Sequence, residues 1–143
     1  MRYEAVGQEL SVIHCHCLSC RRHTGAPVVT LAGFKKDQVR FTASERRLYE
    51  SSPGIQRAFC GQCGTPLTWE GTVEELGGEL IEVFVGTTDD PEALTPMAHI
   101  WSDERIKWFD TVDELPRYHG WLHTGHAPMA HGPIINKKVP SPR

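Results

Sequence analysis

Apolar and polar positions along the chain mostly follow the two-residue period of half-buried strands, in short runs. Residues 2–6, 9–13 and 27–33 read as strands, the last rich in β-branched side chains. Residues 39–42 and 48–51 follow, with Lys36-Asp37 and Ser44-Glu45 as turn chemistry. Residues 55–59 lead into a cysteine pair and 67–70 lead out of it. The run Leu80-Ile81-Glu82-Val83-Phe84-Val85, ended by Gly86, is the strongest strand, and 98–101 and 106–109 complete the series. Helical signals are confined to one turn after Cys17 and one at 90–94, with Pro91 at its first position and Asp89 and Asp90 shaping and capping it. No 12-residue window keeps a 3.6 period. The pattern predicts a β-rich domain of many short strands. Trp101 and Trp108 are expected in its core.

After Tyr118 the alternation stops. Residues 119–143 carry His119, His123, His126 and His131 among prolines and glycines, at spacings that hold no single coordination geometry. We expect one domain over 1–118 and a loosely ordered His/Pro-rich tail over 119–143.

Composition adds three exclusions. At 143 residues, 39% hydrophobic and 23% charged, the chain has enough apolar surface for one core, which excludes intrinsic disorder. A net charge of −3 offers no field for a polyanion, so nucleic acid is not an expected partner. No run approaches the ~18–20 apolar residues of a membrane span, and Met1-Arg2-Tyr3-Glu4 does not open a signal peptide. A cytoplasmic protein is expected.

The five cysteines change the picture most. An odd number in two tight groups points away from a disulfide framework and toward metal or thiol chemistry. His14-Cys15-His16-Cys17-Leu18-Ser19-Cys20 contains Cys-x-Cys-x-x-Cys. In an extended segment Cys15 and Cys17 point to the same side, and a following turn brings in Cys20. Three thiolates can thus meet on one zinc ion, with the fourth position open as in catalytic sites. His14, His16 or His23 could close that position and make the site structural instead. Cys60-Gly61-Gln62-Cys63-Gly64 has the form of a zinc knuckle but supplies only two ligands. A redox dithiol is the other use of such a pair. A single four-thiolate site from Cys17, Cys20, Cys60 and Cys63 would leave Cys15 over.

These blocks resemble the glutathione-dependent formaldehyde-activating enzyme family, which includes the centromere-protein-V-like proteins. The matching residues run from His14-Cys15-His16-Cys17-Leu18-Ser19-Cys20-Arg21-Arg22-His23-Thr24-Gly25 through Arg57-Ala58-Phe59-Cys60-Gly61-Gln62-Cys63-Gly64-Thr65-Pro66. Further matches are Gly86-Thr87-Thr88-Asp89-Asp90-Pro91, His99-Ile100-Trp101 and Lys107-Trp108-Phe109. The resemblance implies an all-β, tent-like fold of short antiparallel strands in packed sheets around zinc sites. It implies a catalytic zinc on Cys15, Cys17 and Cys20, and a structural zinc on Cys60 and Cys63 plus an N-terminal Cys-x-Cys. This chain starts after that Cys-x-Cys, so the second site is expected to lack half its ligands. The implied chemistry is a carbon–sulfur lyase type, glutathione adding to formaldehyde to give S-hydroxymethylglutathione, or a related thiol and aldehyde. Arg21, Arg22 and Arg57 are candidates for binding the substrate's carboxylates. A non-catalytic zinc-binding interaction module is the competing expectation.

Overall fold

A computed structural model describes residues 1–43 and 46–122. Strand is the predominant regular structure of that chain, as the alternation predicts. It divides into two compact units: Met1–Val12 with Thr30–Pro96, and Ile13–Val29 with the described chain from Met97 on.

The first unit is built on antiparallel strands. β3 (Val29–Lys35), β5 (Arg46–Ser52), β6 (Ile55–Cys60), β7 (Pro66–Val73) and β8 (Gly78–Phe84) lie in the order β5-β6-β7-β8-β3. β1 (Arg2–Ala5) and β4 (Val39–Ala43) form a separate antiparallel pair. Alternation decides which face is apolar: Ala32 stands opposite Val83, and Phe34 opposite Ile81. With Val12, Val39 and Val85 they form a buried cluster, against which Tyr3, Phe41 and Leu94 pack. Removing each such side chain from water contributes roughly 1.5–3 kcal/mol. Ala58, Cys60 and Leu67 make a smaller core below Met1, Tyr3 and Phe41.

In the second unit the end of β2 (Ser11–Cys15) runs parallel to β9 (Ala98–Ile100), with His14 beside His99 and Cys15 beside Ile100. The turn expected after Cys17 is a seven-residue helix, α1 (Leu18–Thr24), closed by Gly25 in the left-handed conformation. Three expectations are corrected. Residues 106–109 form a turn rather than a strand, the Phe109 N–H donating to the Ile106 carbonyl at 3.0 Å. Trp108, expected in the core, is 78% exposed on that turn, while Trp101 is half-buried with its ring edge-on to Trp121. Asp90 precedes the 3₁₀ turn at Pro91–Ala93 without capping it through its side chain, and Asp89 pairs with Arg2 instead.

The described start of the expected tail is tied down: His119 bonds the Asp103 carboxylate and the Gly120 carbonyl accepts from the Trp101 N–H. His123, His126 and His131 lie outside the described residues. Among the described residues no helix is long and apolar enough to cross a membrane.

Candidate metal centre

The cysteine segment begins where β2 ends. Extended backbone sends successive side chains to opposite sides. His14 and His16 accordingly reach the His99 ring, at centroid distances of 4.8 and 5.1 Å, while Cys15 and Cys17 take the other side. Cys17 then becomes the N-cap of α1, its backbone extended and its Sγ accepting the Cys20 N–H at 3.3 Å. That cap starts the helix so that Cys20 falls on its first turn. The three sulfurs lie within 4.8 Å of one another, with Cys15 and Cys20 buried and Cys17 half-buried.

A chain of polar contacts holds this segment. The Leu18 N–H donates to the Glu104 carboxylate at 2.5 Å, giving α1 an acidic partner at its start. Arg21 donates from Nε to the His16 carbonyl and from Nη2 to the Glu104 carbonyl, both at 3.1 Å. At the helix end the Gly25 N–H returns to the Arg21 carbonyl at 2.7 Å. Arg22 is exposed.

The donor set fits a soft divalent ion. Hydrogen bonding to the Cys17 and Cys20 thiols, and then burial, pushes the Cys15 thiol well above its usual range. Three crowded thiols resist losing protons together, and a cation among them reverses that resistance. Sulfur donors select zinc over hard cations. No nitrogen of His14, His16 or His23 joins the group, so three is the number of close ligands among the described residues.

Behind the cysteines, His16 Nε2 lies 2.8 Å from His99 Nδ1, and His99 Nε2 lies 3.1 Å from the Asp113 carboxylate. Burial lowers the pKa of both rings, that of His16 to about 3, helped by the nearby His99. Desolvation raises the Asp113 pKa, but hydrogen bonds from Thr111, the Leu115 N–H and His99 outweigh it and bring it to about 2. Sequence reasoning missed Glu104 and Asp113 and gave His99 no role. The repeated histidines around Cys15 were the one local hint of this network.

The other predicted residues stand in the first unit. Cys60 is buried and Cys63 exposed, at either end of a knuckle closed by the Gly64 N–H on the Cys60 carbonyl at 2.8 Å. Gly64 has φ +76°, which a side chain would strain. Cys63 Sγ lies 3.0 Å from the Thr65 hydroxyl. That contact, the Thr65 backbone N–H and Cys60 lower its thiol to about 7. No third metal-ligating side chain joins this pair among the described residues. Arg57 is buried in β6, its Nε donating to the Ser51 hydroxyl at 3.2 Å.

A crystal structure of a Rhodobacter sphaeroides protein is similar at 22% identity and a TM-score of 0.49, over 68% of this chain and 89% of that one. No curated protein matches the chain significantly. The family model for the glutathione-dependent formaldehyde-activating enzyme matches residues 1–104, and the chain belongs to that family.

Proposed function

We propose that the protein is a zinc enzyme of the carbon–sulfur lyase type that joins a small thiol to an aldehyde. Glutathione and formaldehyde, giving S-hydroxymethylglutathione, are the leading pair. The observation that carries this reading is the Cys15, Cys17 and Cys20 cluster in a chain of this family. These three residues would hold the ion, and bound zinc supplies Lewis acidity and a lowered pKa to a thiol that reaches it. In the overall reaction the thiol sulfur bonds to the carbonyl carbon, and the thiol proton ends on the oxygen.

The chain's own residues orient the substrate and keep the site in shape. Arg22, exposed on α1, offers its guanidinium to a carboxylate of a glutathione-like substrate. Arg21 is held by two backbone carbonyls, so its role is to brace the segment and to offset the negative charge of three thiolates on a divalent ion. Arg57, buried and bonded to Ser51, is the weaker substrate ligand.

The test is the exchange rate between glutathione-bound and free ¹³C-formaldehyde, measured by NMR with zinc-loaded protein. Catalysed exchange in the wild type and its loss in Cys15→Ser are expected. Equal rates for wild type, variant and buffer would reject the enzyme. They would favour the zinc-binding module, for which exposed Trp108, Val112 and Met97 of the second unit are the supporting observation.

A further inference from the structure

His16 is the residue between two of the three cysteines, and it lies one position beyond the end of β2. Its backbone makes one cross-strand bond there, the N–H to the Ile100 carbonyl at 3.1 Å. What fixes its side chain is a line of polar atoms, buried at its two rings. His99 Nε2 faces both Asp113 oxygens, at 3.1 and 3.2 Å, with the Thr111 hydroxyl at 3.4 Å, and His99 Nδ1 faces His16 Nε2 at 2.8 Å. The other His16 nitrogen, Nδ1, is buried with no hydrogen-bond partner. His16 and His99 are 1% and 0% exposed.

The proton positions follow from donor and acceptor counting. A carboxylate only accepts, so His99 Nε2 carries its proton. Burial keeps the ring neutral, which leaves His99 Nδ1 bare and able only to accept. His16 Nε2 is therefore the donor, and its Nδ1 faces no partner. The direction of the whole line is set at Asp113. Because side chains alternate, drawing His16 onto His99 turns Cys15 and Cys17 to the opposite side together.

We propose that Asp113 is a positioning residue: through His99 it fixes His16 as its Nε2–H tautomer, and so holds Cys15 and Cys17 in the arrangement that binds metal. This rests on the reading of the three cysteines as a metal site, and not on any choice of substrate. Asp113 lies beyond the residues matched by the family model. Partners hydrogen-bonded directly to metal ligands typically change metal affinity 10- to 100-fold when removed, and Asp113 acts on the ligand segment through two further rings.

The test uses the full zinc-loaded chain with ¹⁵N-labelled histidine. Long-range ¹H–¹⁵N spectra are expected to show His16 and His99 each as a single Nε2–H tautomer. Asp113→Ala, which also removes the acceptor of the Leu115 N–H and the partner of Arg117, is expected to mix the His16 tautomers. It should also speed zinc release to a chelator by roughly 10-fold, the lower end of that range. Asp110→Ala is the control, since Asp110 pairs with Arg105 and Arg117 rather than with His99. It should leave the tautomers unchanged and release within about twofold. An Nδ1–H or doubly protonated His99 in the wild type overturns the proposal without any variant. So do unchanged tautomers in Asp113→Ala, or equal release from the two variants. Metal analysis is read separately: a chain that takes up no zinc overturns the metal site itself.

Discussion

Arg21 donates from Nε to the carbonyl oxygen of His16, the residue between the first two cysteines of the cluster, across 3.1 Å. The same guanidinium reaches the Glu104 carbonyl, so one helix side chain ties the cysteine segment to the chain after β9. The roles proposed for Arg21 and its exposed neighbour Arg22 therefore differ.

Arg21→Ala should lower the melting temperature and accelerate zinc loss. Removing a charged donor from two carbonyls costs about 1.5–3 kcal/mol, or roughly 3–10 °C in a domain of this size. Arg22→Ala should leave the melting temperature within about 1 °C, because exposed charges contribute little. If Arg22 binds a substrate carboxylate, that variant raises KM for glutathione with kcat nearly unchanged. Calorimetry and steady-state kinetics on both variants decide. Equal melting temperatures for the two would contradict the bracing role.

The cysteine cluster was legible because its spacing is local: Cys-x-Cys in extended backbone and a turn to the third thiol need nothing from the rest of the chain. The strands were legible where apolar residues alternate or run together, as in β8. His99, Asp113 and Glu104 were not, because each acts on a segment far away in sequence. His16 and His99 are 83 positions apart, and no local pattern marks such a pair. Residues 106–109 misled for the opposite reason. Ile-Lys-Trp-Phe alternates like a strand, but the described chain there has no ladder partner and closes on itself as a turn. Arg57 reads as a candidate carboxylate ligand because sequence does not show that it is buried in the sheet.

Cys17 serves both as a sulfur of the cluster and as the N-cap of α1, and the two roles separate by substitution. Cys17→Ser removes the thiolate but puts a hydroxyl oxygen, a strong N-cap acceptor, in place of the sulfur. Cys17→Ala removes both. Both variants should lose zinc. In metal-free protein Cys17→Ser should be the more stable of the two by about 0.5–2 kcal/mol in urea unfolding. Equal stability would show that α1 does not depend on this cap.

The buried histidines set the acid side of the stability profile. His16 has a folded pKa near 3 against an ordinary 6.5, the difference arising first from burial and then from His99. Between those values the unfolded chain binds a proton that the folded chain does not, so stability rises with pH. It is full above 6.5 and falls as pH drops below it, by about 1.4 kcal/mol per pH unit for this ring once well below 6.5. His99, lowered by burial, adds in the same direction. Ring carbon shifts of His16 should hold their neutral values from pH 7.5 to pH 5. Protonation of His16 near pH 6.5 in the folded protein would refute this.

Cys60 and Cys63 behave differently from the first cluster. The 143-residue chain supplies this pair with no third ligand among the described residues. A tightly held structural zinc normally requires four ligands, so this chain should bind about one zinc, at Cys15, Cys17 and Cys20. Cys63 is exposed and its thiol titrates near 7, so at neutral pH much of it is thiolate, the form that alkylates and attacks disulfides. With zinc bound, iodoacetamide should modify Cys63 before any other cysteine. Glutathione disulfide should form a mixed disulfide at Cys63, releasing one glutathione thiolate. Cys60, buried beside it, can then displace the second glutathione and close the Cys60–Cys63 bond. Mass spectrometry of peptides after timed alkylation, with metal analysis of the same sample, checks both statements. Cys60→Ser should leave zinc content unchanged and trap the mixed disulfide, whereas Cys15→Ser should lose the metal. Two tightly held zinc ions in this chain, with Cys63 resistant to alkylation, would show that the pair finds further ligands and is a metal site after all.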